Sequence, residues 1–599
     1  MLFGRQTLSW QNSSPDTIRD LHFHLYLNAF KSARTTFMQE SGGRHRGFTH
    51  RTETPGWIRI DAMDTGDGVS LAPEIDFIRP DDTNEQDSTV FRIPLHCPLP
   101  PGHAIRLFIA FTAQLPQLSA RTGYHGDFFM VGQWFPKIGV YESASARGQS
   151  SGSWNCHQFH ANTEFFADFG VYDVEITVPD VYTVGATGTR RSERYNGDRT
   201  KTVIYHAEDV HDFAWTASSR FVEVNDTWHH VSIRLLMQPQ RAQLVDRYLV
   251  PARRALEYFA NHLEPYPYEQ LTIVDPPFGG GGAGGMEYPT LITTGMIRGI
   301  GEQIRWPEQV TVHEFAHQYW YGIVANNEFE EEWLDEGLTE YYECRIMDDT
   351  YGEKTSSHEL LGLRSGTLER TRLRYTGMRD PSVAPIVTPT WQVQDRGIDL
   401  LTYCKAATVL ATLERIVGHE AMDSALSVYF QRWKFRHPST ADFVAVFNEV
   451  IPAIHGDRFG EDLNWYFDQF LYGTTTCDFE LSSLSSTPVE DGEVTTYEST
   501  IAVRQLRDAH LPVEVHIGFD NGDRVVELWD GMSDTMMFRY RRAARVAWAE
   551  IDPGRKILLD MNLINNSRTL SPPSWPIWQY TTKILFLMQN LLQSLAFLG

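Results

Sequence analysis

Two histidines four residues apart, His313 and His317, stand in His313-Glu314-Phe315-Ala316-His317. On a helix such residues share one face about a turn apart, so both rings can reach a single ion. Glu314, beside the first histidine, comes close enough to act on a water at that ion. Nineteen residues after His317 lies Glu336, inside Trp333-Leu334-Asp335-Glu336-Gly337 on a second predicted helix. Two neutral imidazoles, one carboxylate and an open fourth position make a catalytic zinc site rather than a closed structural one. One zinc ion is the expected cofactor. HExxH alone arises by chance on ordinary helices, and Glu336 makes the combination specific. Burying such a charge cluster without a cation would be very costly.

The elements that position these residues belong to a chain of 599 residues, more than one hydrophobic core serves, so several domains are expected. With 42% apolar and 22% charged residues it reads as ordered and globular. A net charge of −25 repels phosphate backbones and argues against nucleic acid as a partner. Cys97, Cys156, Cys344, Cys404 and Cys477 are odd in number and scattered, with no C-x-x-C spacing. That excludes a cysteine metal knot or a dense disulfide framework and leaves room for one or two bridges. The opening MLFGRQTLSW has no basic stretch followed by an apolar one, so no signal peptide is visible.

Residues 1–235 read as a β domain. Leu21, Phe23, Leu25 and Leu27 alternate with His22, His24, Tyr26 and Asn28, the pattern of a half-buried strand with the second set on a solvated face. Similar runs occupy 105–111 and 171–178. Residues 236–477 read as a mixed catalytic domain. A helix is expected over 240–262, kinked or split at Pro251, then a strand at 271–274. The glycine-rich run at 279–285 is followed by Met286-Glu287-Tyr288 and lacks the Lys-Ser or Lys-Thr of a phosphate loop. Glycines there suit a strand edge to which an extended peptide docks. Ser439 to Asp442 reads as a helix start. Residues 478–565 return to alternation, with a hairpin signal at Asp520-Asn521-Gly522-Asp523, and read as a β-sandwich. The tail 566–599 carries Trp575, Trp578 and Tyr580 before an apolar run broken by Gln589, Asn590 and Gln593. This predicts a helix with one broad apolar face, attached to a membrane surface or crossing it at a tilt, or else docked on protein.

Four segments, GGMEY, HEFAH, WLDEG and YCKA, together resemble the gluzincin aminopeptidases of the membrane alanyl aminopeptidase and leukotriene A4 hydrolase type. Their patterns there are G-x-M-E-N, HExxH, W-L-N-E-G and Y-x-K-G. The resemblance is close over residues 270–415 and looser over 160–188. It implies an α+β multidomain fold: an N-terminal β-saddle, a thermolysin-like catalytic domain and a small β-sandwich. The large C-terminal helical domain of typical members is expected to be absent. His313, His317 and Glu336 would then bind zinc, with Glu314 as general base on the zinc-activated water. Tyr403 would steady the oxyanion, and Glu287, with Gly285 and Met286, would form the substrate edge. Glu287 would hold the free α-ammonium of a peptide, which makes the implied activity that of an aminopeptidase. Glu343, seven residues after Glu336, would orient a ligand histidine. Tyr288 replaces the asparagine of G-x-M-E-N. A zinc endopeptidase and a catalytically silent peptide-binding scaffold are the alternatives. Glu287 speaks against the first, and the intact ligand set with Glu314 against the second.

Overall fold

The computed structural model describes residues 1–598 apart from 46–47, 51–52, 119, 145–147, 296–298, 361, 394–396, 398–399, 492–493 and 572–574. Two compact units divide the chain, Met1–Thr474 and Thr475–Gly599. The first mixes sheets and helices; its N-terminal part is built of antiparallel sheets. Leu2–Gln11 pairs along its whole length with Ala104–Gln114, which pairs on its other side with Trp57–Asp64. Gly170–Pro179 alternates buried and exposed residues as its sequence predicts, and it pairs with Thr200–Val210. The inward faces meet in an aromatic-rich core that includes Phe23, Phe91, Phe111, Phe159 and Phe165.

One expected strand differs. Ile18–His24 is a strand, but the chain then turns into a 3-10 helix over Tyr26–Phe30. Every residue of that turn is buried. Tyr26 and Asn28, expected on a solvated face, are therefore interior, and His24 is buried with them. Asn28 is used there as a bracket: its amide donates to the Ser88 carbonyl, and its Oδ1 accepts from the Ile58 N–H. The period of two fails because the strand ends, and an internal hydrogen-bonding role keeps a polar residue inside.

The catalytic part begins with an antiparallel hairpin, Val222–Trp228 and Val231–Met237. Val231–Met237 pairs in parallel with Gln270–Val274, and that strand pairs in parallel with Leu291–Thr293. The helix Asp246–His262 runs unsplit through Pro251, preceded by a 3-10 turn over Pro239–Leu244. Two helices carry the residues expected to bind metal: Trp306–Ala316, with His317 at its cap, and Trp333–Tyr351. Pro307 sits in the first turn of the former, where its missing N–H has no intrahelical partner to lose. Trp306–Ala316 buries Glu308, Gln309 and Glu314 alongside Val312 and Phe315. A helix buried nearly all round must partner its polar residues, and Glu308 is met by Arg247 at 2.6 Å.

Tyr403 lies on a π-helical turn, Leu400–Lys405, which runs into the helix Ala406–Val417. Such turns hold one residue more than an α-turn and recur at functional sites. Gly337 explains how closely this turn approaches. A Cβ there would stand 2.6 Å from the Ala406 Cβ and 3.0 Å from the Thr402 carbonyl. The expected start at Ser439 is present as a capping box with Asp442, opening the helix Thr440–His455.

The second unit holds two sheets, Phe479–Asp491 with Val494–Gln505 and Thr535–Arg542, and Arg524–Trp529 with Val513–Phe519, Val546–Ile551 and Ser567–Thr569. Alternation places Val513, Val515 and Ile517 inside. The tail forms one helix, Trp575–Leu598, with Trp578, Phe586 and Leu592 exposed. Among the described residues no helix is long and apolar enough to cross a membrane. The tilted crossing expected of residues 575–599 is therefore corrected: Lys583, Gln589, Asn590 and Gln593 dilute the apolar run. Membrane attachment through this tail gains no support from the structure. Neither do the one or two bridges: all five cysteines are free thiols, Cys97 exposed and the others buried.

Candidate active site

The helix Trp306–Ala316 ends at Ala316, with His317 as its cap in right-handed helical conformation, so His313 and His317 keep helical spacing at the very end of the element. Their Nε2 atoms stand 3.2 and 3.3 Å from the same oxygen, Oε2 of Glu336. The three ligand atoms all lie within 4.8 Å of one another. Two imidazoles and a carboxylate converging on one point are the donor set that suits zinc with an open position.

Each ring is oriented by its other nitrogen. His313 Nδ1 is 2.9 Å from Glu343 Oε2, and Gln309 donates to the other oxygen of Glu343. His317 Nδ1 is 2.5 Å from Asp335 Oδ1, the residue that stands where the resemblance has asparagine. Carboxylates behind ligand histidines fix the tautomer and make the ring a better donor. Burial works against charge on these rings, yet the carboxylates raise both, His317 to about 10. The same histidines hold Glu336 well below the usual carboxylate range against its burial.

Glu314 is buried, and burial pushes its carboxyl up to about 7. Its Oε2 has no hydrogen-bond partner among the described residues. Its Oε1 would lie 3.6 Å from a Cβ on Gly285, whose φ of +72° already favours glycine. Glu287, Glu314 and His317 offer atoms within 4.8 Å of one another, so Glu287 adjoins the metal-ligand cluster. Met286 reaches back to Thr293 across an antiparallel bridge, which sets this segment beside the sheet edge. The Tyr403 hydroxyl donates to Glu336 Oε1, and its ring is parallel to that of His313 at 5.9 Å.

Four residues that carry this geometry were not singled out from sequence. Gln318, directly after His317, donates to the carbonyls of Glu287 and Tyr288 at 3.2 Å and accepts from the Thr290 N–H at 2.7 Å. Asp335 backs His317, as described. From the β domain, Arg121 lies between Glu164 and Glu287, paired with both. For Asp335 the signal was present in WLDEG, and Glu164 lies in the stretch 160–188 of looser resemblance; Arg121 lies far from the motifs in sequence and gave none.

Residues 249–470 match the model of the peptidase family M1 domain. A leukotriene A-4 hydrolase homolog of Botryotinia fuckeliana is 31% identical over 201 residues, 32% of this chain and 30% of its own length. Human aminopeptidase B is 28% identical over 197 residues, 31% of this chain and 29% of its own. Each match thus spans under a third of the curated relative. Legionella pneumophila aminopeptidase A, solved in complex with aspartic acid, shares the fold with a TM-score of 0.59 over 93% of this chain and 57% of that one, at 12% identity. The family model covers the glycine-rich edge, both helices of the histidine–glutamate cluster and Tyr403 together, so residues 249–470 carry a peptidase family M1 domain, in keeping with the resemblance to gluzincin aminopeptidases.

Proposed function

We propose that this chain is a zinc aminopeptidase that removes N-terminal residues from peptides. The observation that carries the reading is the placement of Glu287 within 4.8 Å of Glu314 and His317. A buried carboxylate beside the ligand cluster suits a substrate bearing a positive charge next to the bond to be cut. An interior peptide bond offers no such charge, which disfavours the endopeptidase alternative. His313, His317 and Glu336 would hold the zinc ion, which when bound supplies Lewis acidity that lets water lose a proton near neutral pH.

The residues of the chain do the rest. Glu314 takes a proton from the attacking water and returns it to the leaving amine, a task suited to a carboxyl raised toward neutrality. Tyr403 turns its hydroxyl from Glu336 to the oxyanion of the tetrahedral intermediate, a donor aimed where negative charge develops. Glu287 seats the α-ammonium, and Gly285 leaves open the space beside Glu314 Oε1 that a Cβ would enter. Glu343 and Asp335 keep the two imidazoles aimed at the ion.

A panel of aminoacyl-p-nitroanilides and their N-acetylated counterparts, run with and without chelator, tests this. Free-amine substrates should be hydrolysed, blocked ones should not, and chelator should abolish the activity. Equal rates on blocked substrates would favour the endopeptidase. A protein that takes up zinc and hydrolyses neither would be the silent scaffold.

A further inference from the structure

Arg121 is held at the substrate edge from three directions. It lies in the β domain between the strands Ala104–Gln114 and Gly123–His125, with a left-handed φ of 60°. Only about 5% of it is exposed. Its backbone N–H donates to the Gly282 carbonyl at 2.7 Å, and its own carbonyl accepts from the Tyr288 hydroxyl at 3.4 Å. Both partners flank Met286-Glu287. A non-glycine residue in this conformation persists only where its surroundings hold it. The guanidinium then reaches Glu164 Oε1 with Nη2, and Glu287 Oε2 at 3.4 Å and the Met286 sulfur with Nη1.

Glu164 and Glu287 are each about 3% exposed, so their charges are little screened by solvent. Two buried carboxylates alone would repel each other, and one would tend to take up a proton. One guanidinium between them offsets that repulsion and holds both carboxylates in place. Arg121 engages Oε2 of Glu287, whereas the buried Oε1 has no hydrogen-bond partner among the described residues. Holding one carboxylate oxygen fixes the orientation of the other.

We infer that Arg121 is a positioning residue: by bridging Glu164 and Glu287 it aims Glu287 Oε1 at the substrate's α-ammonium. This rests on the aminopeptidase reading. Tyr288, in place of the asparagine of the family pattern, serves the same device by anchoring the Arg121 carbonyl.

The test compares wild type, Arg121→Gln and Arg121→Lys on leucyl-p-nitroanilide, with zinc content measured on each. Arg121→Gln should raise KM at least about tenfold while kcat changes less than about threefold and zinc content stays at the wild-type level. That split marks binding lost in ground and transition state alike. Arg121→Lys, which keeps the charge but not the fork, should fall between the two. A wild-type KM in Arg121→Gln overturns the inference, and so does a fall in kcat that tracks lost zinc. Should Arg121→Gln fail to fold, Glu164→Gln decides: it removes the carboxylate that holds the far side of the guanidinium and should raise KM about tenfold, and an unchanged KM overturns the inference. A wild-type enzyme inactive on every free-amine substrate would sink the aminopeptidase reading instead.

Discussion

Two clusters of histidine and carboxylate lie in the same unit, and they are wired differently. In the first, the Nε2 atoms of His313 and His317 converge on one oxygen of Glu336. In the second, His157 and His160 spread apart. His157 meets Asp81 at 2.6 Å and Glu330 at 3.3 Å through its two nitrogens. His160 meets Glu40 at 2.8 Å and Asp81 at 3.3 Å. Every ring nitrogen of this second cluster meets a carboxylate oxygen, with Asp81 serving both rings, so the charges close on themselves. Burial opposes charge on both rings, but the carboxylates raise each to about 9 and hold Asp81 well below the usual range. Composition alone would not separate the clusters. The direction of the donor atoms does: convergence fits a cation, and pairing fits a fastening between elements.

The contrast can be broken most sharply at Glu314. Glu314→Gln should lower kcat by about 10²–10⁴, the usual worth of a general base, with zinc content unchanged. His160→Gln, in the closed cluster, should leave kcat within about threefold of wild type in protein that has folded. Next in size is Glu343→Gln, which removes the carboxylate behind His313. Zinc affinity, measured by competition with a chromophoric chelator, should weaken by about 10–100-fold. Zinc should also raise the melting temperature of the wild type more than that of this variant.

The smallest effect concerns pH. His157 and His160 have folded-state values near 9, above their ordinary 6.5. Their stabilisation is therefore full below about pH 6.5 and is lost as pH rises through 9. Melting temperature should decline over that window in wild type and decline less in His157→Gln, which starts lower at pH 6.5. The difference should be a few degrees at most, since about 2–4 °C per kcal/mol holds for 150–250 residues and the shift shrinks for a larger unit such as Met1–Thr474. A variant whose pH dependence matches wild type would show that the second cluster carries no charge.

The metal-ligand cluster was legible because its parts lie at fixed helical spacing: His313 and His317 a turn apart, and Glu343 two turns after Glu336 on one helix. Periodicity found Gly170–Pro179 and the start at Ser439 for the same reason. Residues brought in from elsewhere were not legible. Arg121 precedes Glu287 by 166 positions, and Asp81 precedes His157 by 76. No local pattern records such a meeting. Tyr26 and Asn28 were misplaced because alternation continues in the letters after the strand has ended. The π-helical turn at Tyr403 left no trace either, since its extra residue is visible only in the hydrogen bonding.

Gln318 joins the two halves of the proposed reaction in a way its position after HEFAH does not advertise. One side-chain amide grips the carbonyls of Glu287 and Tyr288 while its own backbone continues from His317. The seat for the chain end and the cutting point are thereby parts of one rigid gauge. In the proposed reaction such a gauge would measure length, fixing how far from its free end a peptide is cut.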